Sequence, residues 1–84
     1  LVEFLGTAFF VYVILATGNP IASGAALALA MLLTAPVSGG HINPAVSLVM
    51  ASIGKIETGE LIPYMLSQLL GGLVALEIYK RYTF

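Results

Sequence analysis

The sequence predicts an all-α integral membrane module: three transmembrane helices plus one re-entrant half-helix. Three observations carry this. Of 84 residues, 60% are hydrophobic and 8% charged, against about 25% charged in an average soluble domain. No Asp, Glu, Lys or Arg occurs from Phe4 to Gly54, a run of 51 residues, and a second uncharged run covers the 16 residues from Leu61 to Leu76. Two Asn-Pro pairs cut the first run into pieces of spanning and half-spanning length. A soluble domain of this size leaves roughly 40% of its unfolded-chain surface exposed, and too few polar residues are present to coat it. A soluble globular fold, a disordered tail and a nucleic-acid binder are thereby excluded. The net charge of −1 gives no basic footprint. The absence of cysteine removes disulfide, thiol–metal and cysteine-nucleophile chemistry. One His, no Asp and four scattered Glu make no triad and no paired carboxylates, so no enzyme and no cofactor is expected. The chain starts at Leu1 rather than Met, so upstream residues are expected. The acidic Glu3 and the lack of a basic lead argue against a signal peptide.

Each element follows from its breakers. A spanning helix needs about 20 residues at 1.5 Å each. Gly18-Asn19-Pro20 is a turn cluster in which Asn19 caps the next helix and Pro20 takes its first position, where a missing N–H costs nothing. A first helix is therefore expected over about 1–17, slightly short as it stands. The second is expected over about 20–35, ending near Pro36 and the stretch Val37-Ser38-Gly39-Gly40. Its small residues recur every four positions, at Ala22, Ala26 and Ala30 and at Gly24 and Ala28. That spacing lets helix backbones approach closely in lipid. A loop over 36–43 leads to a third apolar segment, 44–53, of only ten residues, about half a bilayer. Asn43 and Pro44 suit its start, and Gly54 and Lys55 its end. The last helix is expected over about 59–79, with Glu60 in its first turn, Pro63 early enough to be tolerated and a small-residue stripe at Ser67, Gly71 and Ala75. Tyr79, Lys80, Arg81 and Tyr82 read as an interfacial anchor.

Chemistry concentrates in Ser38-Gly39-Gly40-His41-Ile42-Asn43-Pro44-Ala45-Val46. Non-helical backbone at membrane depth is tolerated only where it is buried in protein or lines a water-filled cavity. An extended segment with two glycines exposes successive carbonyls as hydrogen-bond acceptors. The helix N-terminus that follows carries an effective charge of about +0.5, and the Asn43 amide can donate to a solute oxygen. A row of acceptors ending at a donor and a positive dipole makes a path for neutral polar molecules and opposes cations, hydronium included.

This stretch resembles the first signature loop of the aquaporin and glycerol-facilitator family. Glu3, Thr7 and Phe10 resemble the family's E-x-x-x-T-x-x-F pattern, and Tyr64, Gln68 and Gly71 its Y-x-x-x-Q-x-x-G pattern. The resemblance implies the first half of an inverted-repeat fold, whose partner repeat, with a second Asn-Pro-Ala motif and the constriction Arg, has no counterpart here. Asn19-Pro20 lacks the glycine lead-in and is a turn. The resemblance further implies that the carbonyls of Gly39, Gly40 and His41 line the path and that Asn43, in the Asn43-Pro44-Ala45 motif, is the central donor. It makes Val46, Phe10 and Leu27 the apolar wall and Ser23 the second-helix position of the constriction. Water-selective relatives place a large aromatic there, so serine implies a wider or more polar mouth. Glu3 and Gln68, with Thr7 and Tyr64, would be buried supports of the loop.

Each residue also has a plainer reading. Asn43-Pro44 alone is an ordinary turn, His41 a capped loop histidine, Glu3 an interfacial acid and Ser23 a packing residue. Phe10, Leu27 and Val46 are packing residues but for the resemblance. A passive channel or half-channel for water or small uncharged solutes such as glycerol is the expected function. The alternative is a non-conducting structural membrane protein within a larger assembly. The channel needs a second half-repeat, either in the same longer chain or from an inverted copy. Expected partners are the solute, the lipid bilayer and, in a homo-oligomer, further copies. Three crossings put Lys55 on one side and Lys80 and Arg81 on the other, so the positive-inside bias is low.

Overall fold

The computed structural model describes residues 1–82, which form helices joined by short turns and loops. The helices are α1 (Val2–Thr17), α2 (Pro20–Ser38), α3 (Pro44–Ser52) and α4 (Leu61–Tyr82), with a single 3₁₀ turn, Thr58–Glu60, leading into α4. Central α1 packs against both α2 and α4, and α3 packs against α4.

The local chemistry of each helix end is visible. Asn19 Oδ1 accepts from the N–H groups of Ile21 and Ala22 at 2.8 and 3.0 Å, with Pro20 in the first helical position. Asn43 Oδ1 accepts from Ala45 N–H at 2.8 Å, with Pro44 behind it. α3 closes on Gly54 at φ 81°. Lys55 N–H reaches the Met50 carbonyl at 2.8 Å and Gly54 N–H the Ala51 carbonyl at 3.2 Å, the paired bonds of a glycine-terminated helix.

Three expectations are corrected. α2 does not stop at Ala35 but runs through Pro36 to Ser38. Proline removes one backbone donor there, and tertiary bonds hold the added turn: the Ser38 hydroxyl donates to Glu3, and the Ser38 carbonyl accepts from Tyr64 Oη at 2.6 Å. The loop is not an extended strand. Gly39, Gly40 and Ile42 have φ of 90°, 66° and 55°, so the backbone curls through the left-handed region before Asn43 returns to extended geometry. α4 also runs on past Tyr79 to Tyr82.

Of the four helices, Pro20–Ser38 and the 25-residue stretch Thr58–Tyr82 are long and apolar enough to cross a membrane. α1 has 16 residues, about 24 Å of helix, and α3 has 9, about 14 Å. The distribution of side chains is inside-out relative to a soluble domain. Among the described residues the buried apolar side chains are Ala26, Ala30, Ile42 and Ala75. The buried polar ones are Glu3, Thr7, Thr34, His41, Ser47 and Gln68. Leucine, isoleucine and valine dominate the outer surface, including Leu29, Leu32, Leu33, Leu66, Leu69, Leu70 and Leu73.

Small residues set the helix spacing. A Cβ on Gly71 of α4 would lie 2.5 Å from the Phe4 carbonyl and 3.2 Å from Ala8 N, so α1 and α4 touch backbone to backbone. On the other side of α1, a Cβ on Gly6 would meet Ile42 Cδ1 at 2.7 Å and Thr34 Cγ2 at 3.1 Å. Of the two small-residue stripes on α2, Ala26 and Ala30 are buried, while Gly24 and Ala28 face outward.

Candidate functional site

The loop between α2 and α3 is held by one carboxylate. Glu3 sits in the first turn of α1 and is 4% exposed. Its Oε1 accepts from Ile42 N–H at 2.8 Å and Gln68 Nε2 at 2.9 Å. Its Oε2 accepts from His41 N–H at 3.2 Å and from the Ser38 hydroxyl. Four donors converge on its two oxygens, an arrangement that suits a carboxylate. Neither Lys nor Arg is among these four partners, and the charge is balanced by dipoles alone. Charge-assisted bonds of this kind are the stronger class, and in a low-dielectric interior they are stronger again.

A second layer fixes the loop's side chains. Gln68 Nε2 also donates to Ser47 Oγ at 2.8 Å, and Ser47 Oγ lies 2.8 Å from His41 Nδ1. The His41 ring stacks on Tyr64, with centroids 4.6 Å apart and planes 24° from parallel. With both Gln68 Nε2 contacts made to acceptors, the orientation of this amide is settled, since a flipped oxygen would face the Glu3 carboxylate.

The glycines are required by the path of the chain. Gly40 combines its positive φ with a site where a Cβ would approach the Met31 carbonyl to 2.9 Å. With His41 and Ile42 N–H turned to Glu3, the carbonyls of Gly39, Gly40, His41 and Ile42 accept no hydrogen bond among the described residues. Asn43 is exposed; its Oδ1 is used in the cap and its Nδ2 makes no bond within the described residues.

A groove of about 660 Å³ runs along α1, α4 and the start of α3. It brings together Thr7, Phe10, Asn43, Pro44 and Gln68, with Ile42 and an apolar wall that includes Val11, Leu69 and Leu73. The other residues singled out from the sequence lie elsewhere. Within the loop Gly40 and His41 are buried and Gly39 is exposed, while on α3 Ala45 is exposed and Val46 half-buried. Ser23 and Leu27 are half-buried on α2, which packs on α1 rather than on α3, and neither lines this groove.

Four residues of the network were not singled out from the sequence. Ser47, fully buried, bridges His41 and Gln68. Ser38, quoted only as part of the signature loop, ties α2 to Glu3. Ile42 and Gly6 interlock, the one filling the space the other leaves. A signal for Ser47 exists in the sequence: it is the one hydroxyl in the first turns of an otherwise apolar half-helix, and an unsatisfied polar group in lipid costs several kcal/mol.

The model of the family described as Major intrinsic protein matches residues 1–84. Aquaporin-8 of Mus musculus is 38% identical over 91 aligned residues, covering 95% of this chain and 35% of that protein. Glycerol uptake facilitator protein-like 6 of Lactiplantibacillus plantarum is 36% identical, covering 99% of this chain and 43% of that protein. Aquaporin Z of Brucella melitensis is 48% identical over 42 residues, half of this chain. The chain thus spans about a third of the length of the Aquaporin-8 relatives it matches. No solved structure gives a significant match. With a family model matching from end to end and relatives covering nearly every residue, the chain belongs to the major intrinsic protein family and is an integral membrane protein.

Proposed function

We propose that the chain is one repeat of a passive channel for water or small uncharged polar solutes. In this reading α1, α2 and α4 cross the bilayer and α3 is re-entrant, its amino end near the midplane. A second repeat, in the same polypeptide or an inverted copy, completes the passage, and the assembly is a homo-oligomer. The observation that carries the reading is Asn43. Its Oδ1 is committed to capping α3, so its free Nδ2 and the positive helix end offer donors to a solute, beside a loop whose carbonyls are left as acceptors. The buried Glu3 carboxylate holds the loop amides away from the passage, which keeps the acceptor edge outward. The printed names of relatives, aquaporin and glycerol uptake facilitator, agree with a neutral solute of that size. Serine at position 23 favours a mouth wide enough for a small polyol.

The test is osmotic shrinkage of vesicles reconstituted with the natural protein. Asn43→Asp keeps the capping oxygen, because Asp caps as well as Asn, but replaces the free donor with negative charge. Water or glycerol flux through this variant is expected to fall at least several-fold with insertion unchanged. Equal flux through Asn43→Asp and the natural protein would refute Asn43 as the central donor. Flux no greater than that of empty vesicles, from protein shown to be inserted, would favour a non-conducting structural role.

A further inference from the structure

Two buried polar atoms remain unused by the network that holds the loop. Thr7 Oγ1 and Gln68 Oε1 have no hydrogen-bond partner among the described residues, although Thr7 is 5% exposed and Gln68 1%. A buried polar atom without a partner is destabilising. The two belong together. Thr7 lies one turn after Glu3 on α1, and its Cβ lies 3.2 Å from where a Cβ on Gly71 would stand, one turn after Gln68 on α4. The Gln68 amide turns its nitrogen to Glu3 and Ser47, so its oxygen must point the other way. Both residues line the same groove as Asn43, and most of the rest of its wall is apolar.

We propose that Thr7 Oγ1 and Gln68 Oε1 form a binding site for one hydroxyl-sized donor at the floor of this groove. Gln68 Oε1 can only accept, so the ligand must donate to it. Thr7 Oγ1 can accept or donate, so a ligand with two hydrogens, or with one hydrogen and a lone pair, satisfies both atoms. Neither atom carries a formal charge, and a neutral donor suits the pair. A water or the hydroxyl of a small polyol has the required chemistry and size, and a buried water typically makes about three hydrogen bonds. The site is separate from the free Asn43 donor and does not depend on flux through the passage. A permanently held water here would complete the hydrogen bonding of Gln68 and thereby stiffen the Gln68–Glu3 contact on which the loop rests.

The test is a structure of the natural full-length protein at a resolution that shows ordered water, determined with and without glycerol. A peak about 2.7–3.2 Å from both atoms in glycerol-free buffer supports a resident water. A glycerol hydroxyl replacing that peak supports the polyol arm of the same site. Thr7→Val, which conserves shape, should abolish the peak, and Thr7→Ser should restore it; Gln68 need not be altered, so the loop network stays whole. The proposal is overturned if the Thr7 hydroxyl bonds Gln68 Oε1 directly. It is overturned equally if a protein group occupies the position, or if Thr7→Val folds and keeps the peak. Because occupancy is read without measuring flux, a protein that conducts nothing can still pass this test.

Discussion

Replacing Glu3 with glutamine separates the role of the carboxylate from that of its shape. The amide keeps one oxygen, and its best orientation aims that oxygen at Ile42 N–H and Gln68 Nε2, the two partners of Oε1. Its new NH₂ then faces the Ser38 hydroxyl and His41 N–H, both donors in the natural protein. Ser38 escapes by reversing: it accepts from the amide and keeps its own donation to the Thr34 carbonyl, already in place at 3.3 Å. His41 N–H has no such alternative and is orphaned in the interior. One buried unpaired donor costs about 1–3 kcal/mol. Weaker neutral bonds to the remaining donors add to this, and the relief of burying no formal charge offsets it. Glu3→Ala orphans both His41 and Ile42 N–H and should cost about twice as much. Amide hydrogen exchange in lipid nanodiscs reads this locally, since exchange follows the free energy of local opening. At about 1.4 kcal/mol per tenfold, His41 should exchange about 5- to 150-fold faster in Glu3→Gln, and both His41 and Ile42 should exchange faster in Glu3→Ala. Amides in the middle of α2 should be little changed. Protection at His41 and Ile42 that is equal in all three proteins would refute Glu3 as the anchor of the loop.

Other substitutions probe the same interior. Gly71→Ala forces a methyl to within 2.5 Å of the Phe4 carbonyl and should lower the thermal unfolding midpoint, at an overpacking cost of about 1–3 kcal/mol. Gly72→Ala, whose Cβ would meet nothing nearer than Val11 at 3.9 Å, should be neutral or stabilising by up to about 1 kcal/mol through helix propensity. Ser47→Ala removes the bridge between His41 and Gln68 and should cost about 1–3 kcal/mol, seen as faster exchange in the loop with α2 unaffected. Gly6→Ala and Ile42→Val should each destabilise, while the double variant recovers about 0.5 kcal/mol or more relative to their sum. Additive losses would show that the two residues do not share one space.

The helices, their caps and the short length of α3 were legible because each rests on local chemistry: Asn-Pro at two starts, glycine at three ends, and an uncharged run too long for water. The end of α2 was not legible. Pro36 reads as a stop, and only the bonds from Ser38 to Glu3 and from Tyr64 to the Ser38 carbonyl, 35 and 26 residues apart in sequence, hold the helix for three more positions. The curl of the loop was missed for a similar reason. Two glycines admit a strand or a coil equally, and a β-branched residue such as Ile42 ordinarily avoids positive φ. It is held there by its N–H on Glu3 and its side chain against Gly6. The grouping of Glu3, Tyr64 and Gln68 around the loop came from resemblance rather than from spacing. Ser47 could have been suspected from its hydroxyl alone.

The inside-out composition explains why so few residues decide this fold. In lipid a leucine gains little by turning inward, because the tails outside are as apolar as the interior. Specificity must then come from what lipid cannot offer: backbone contact and hydrogen bonds. α1 concentrates both within five residues. Glu3 holds the loop and Gln68 of α4, Gly6 admits Ile42 and Thr34, and Thr7 faces Gly71. Each of these positions serves an element on a different side, so α1 alone sets the distance between α2 and α4 and the height of the loop between them. A substitution on the leucine-rich outer faces should therefore change lipid contacts with little effect on the loop. A change of one methyl or one oxygen at positions 3 or 6 should move the loop that positions Asn43.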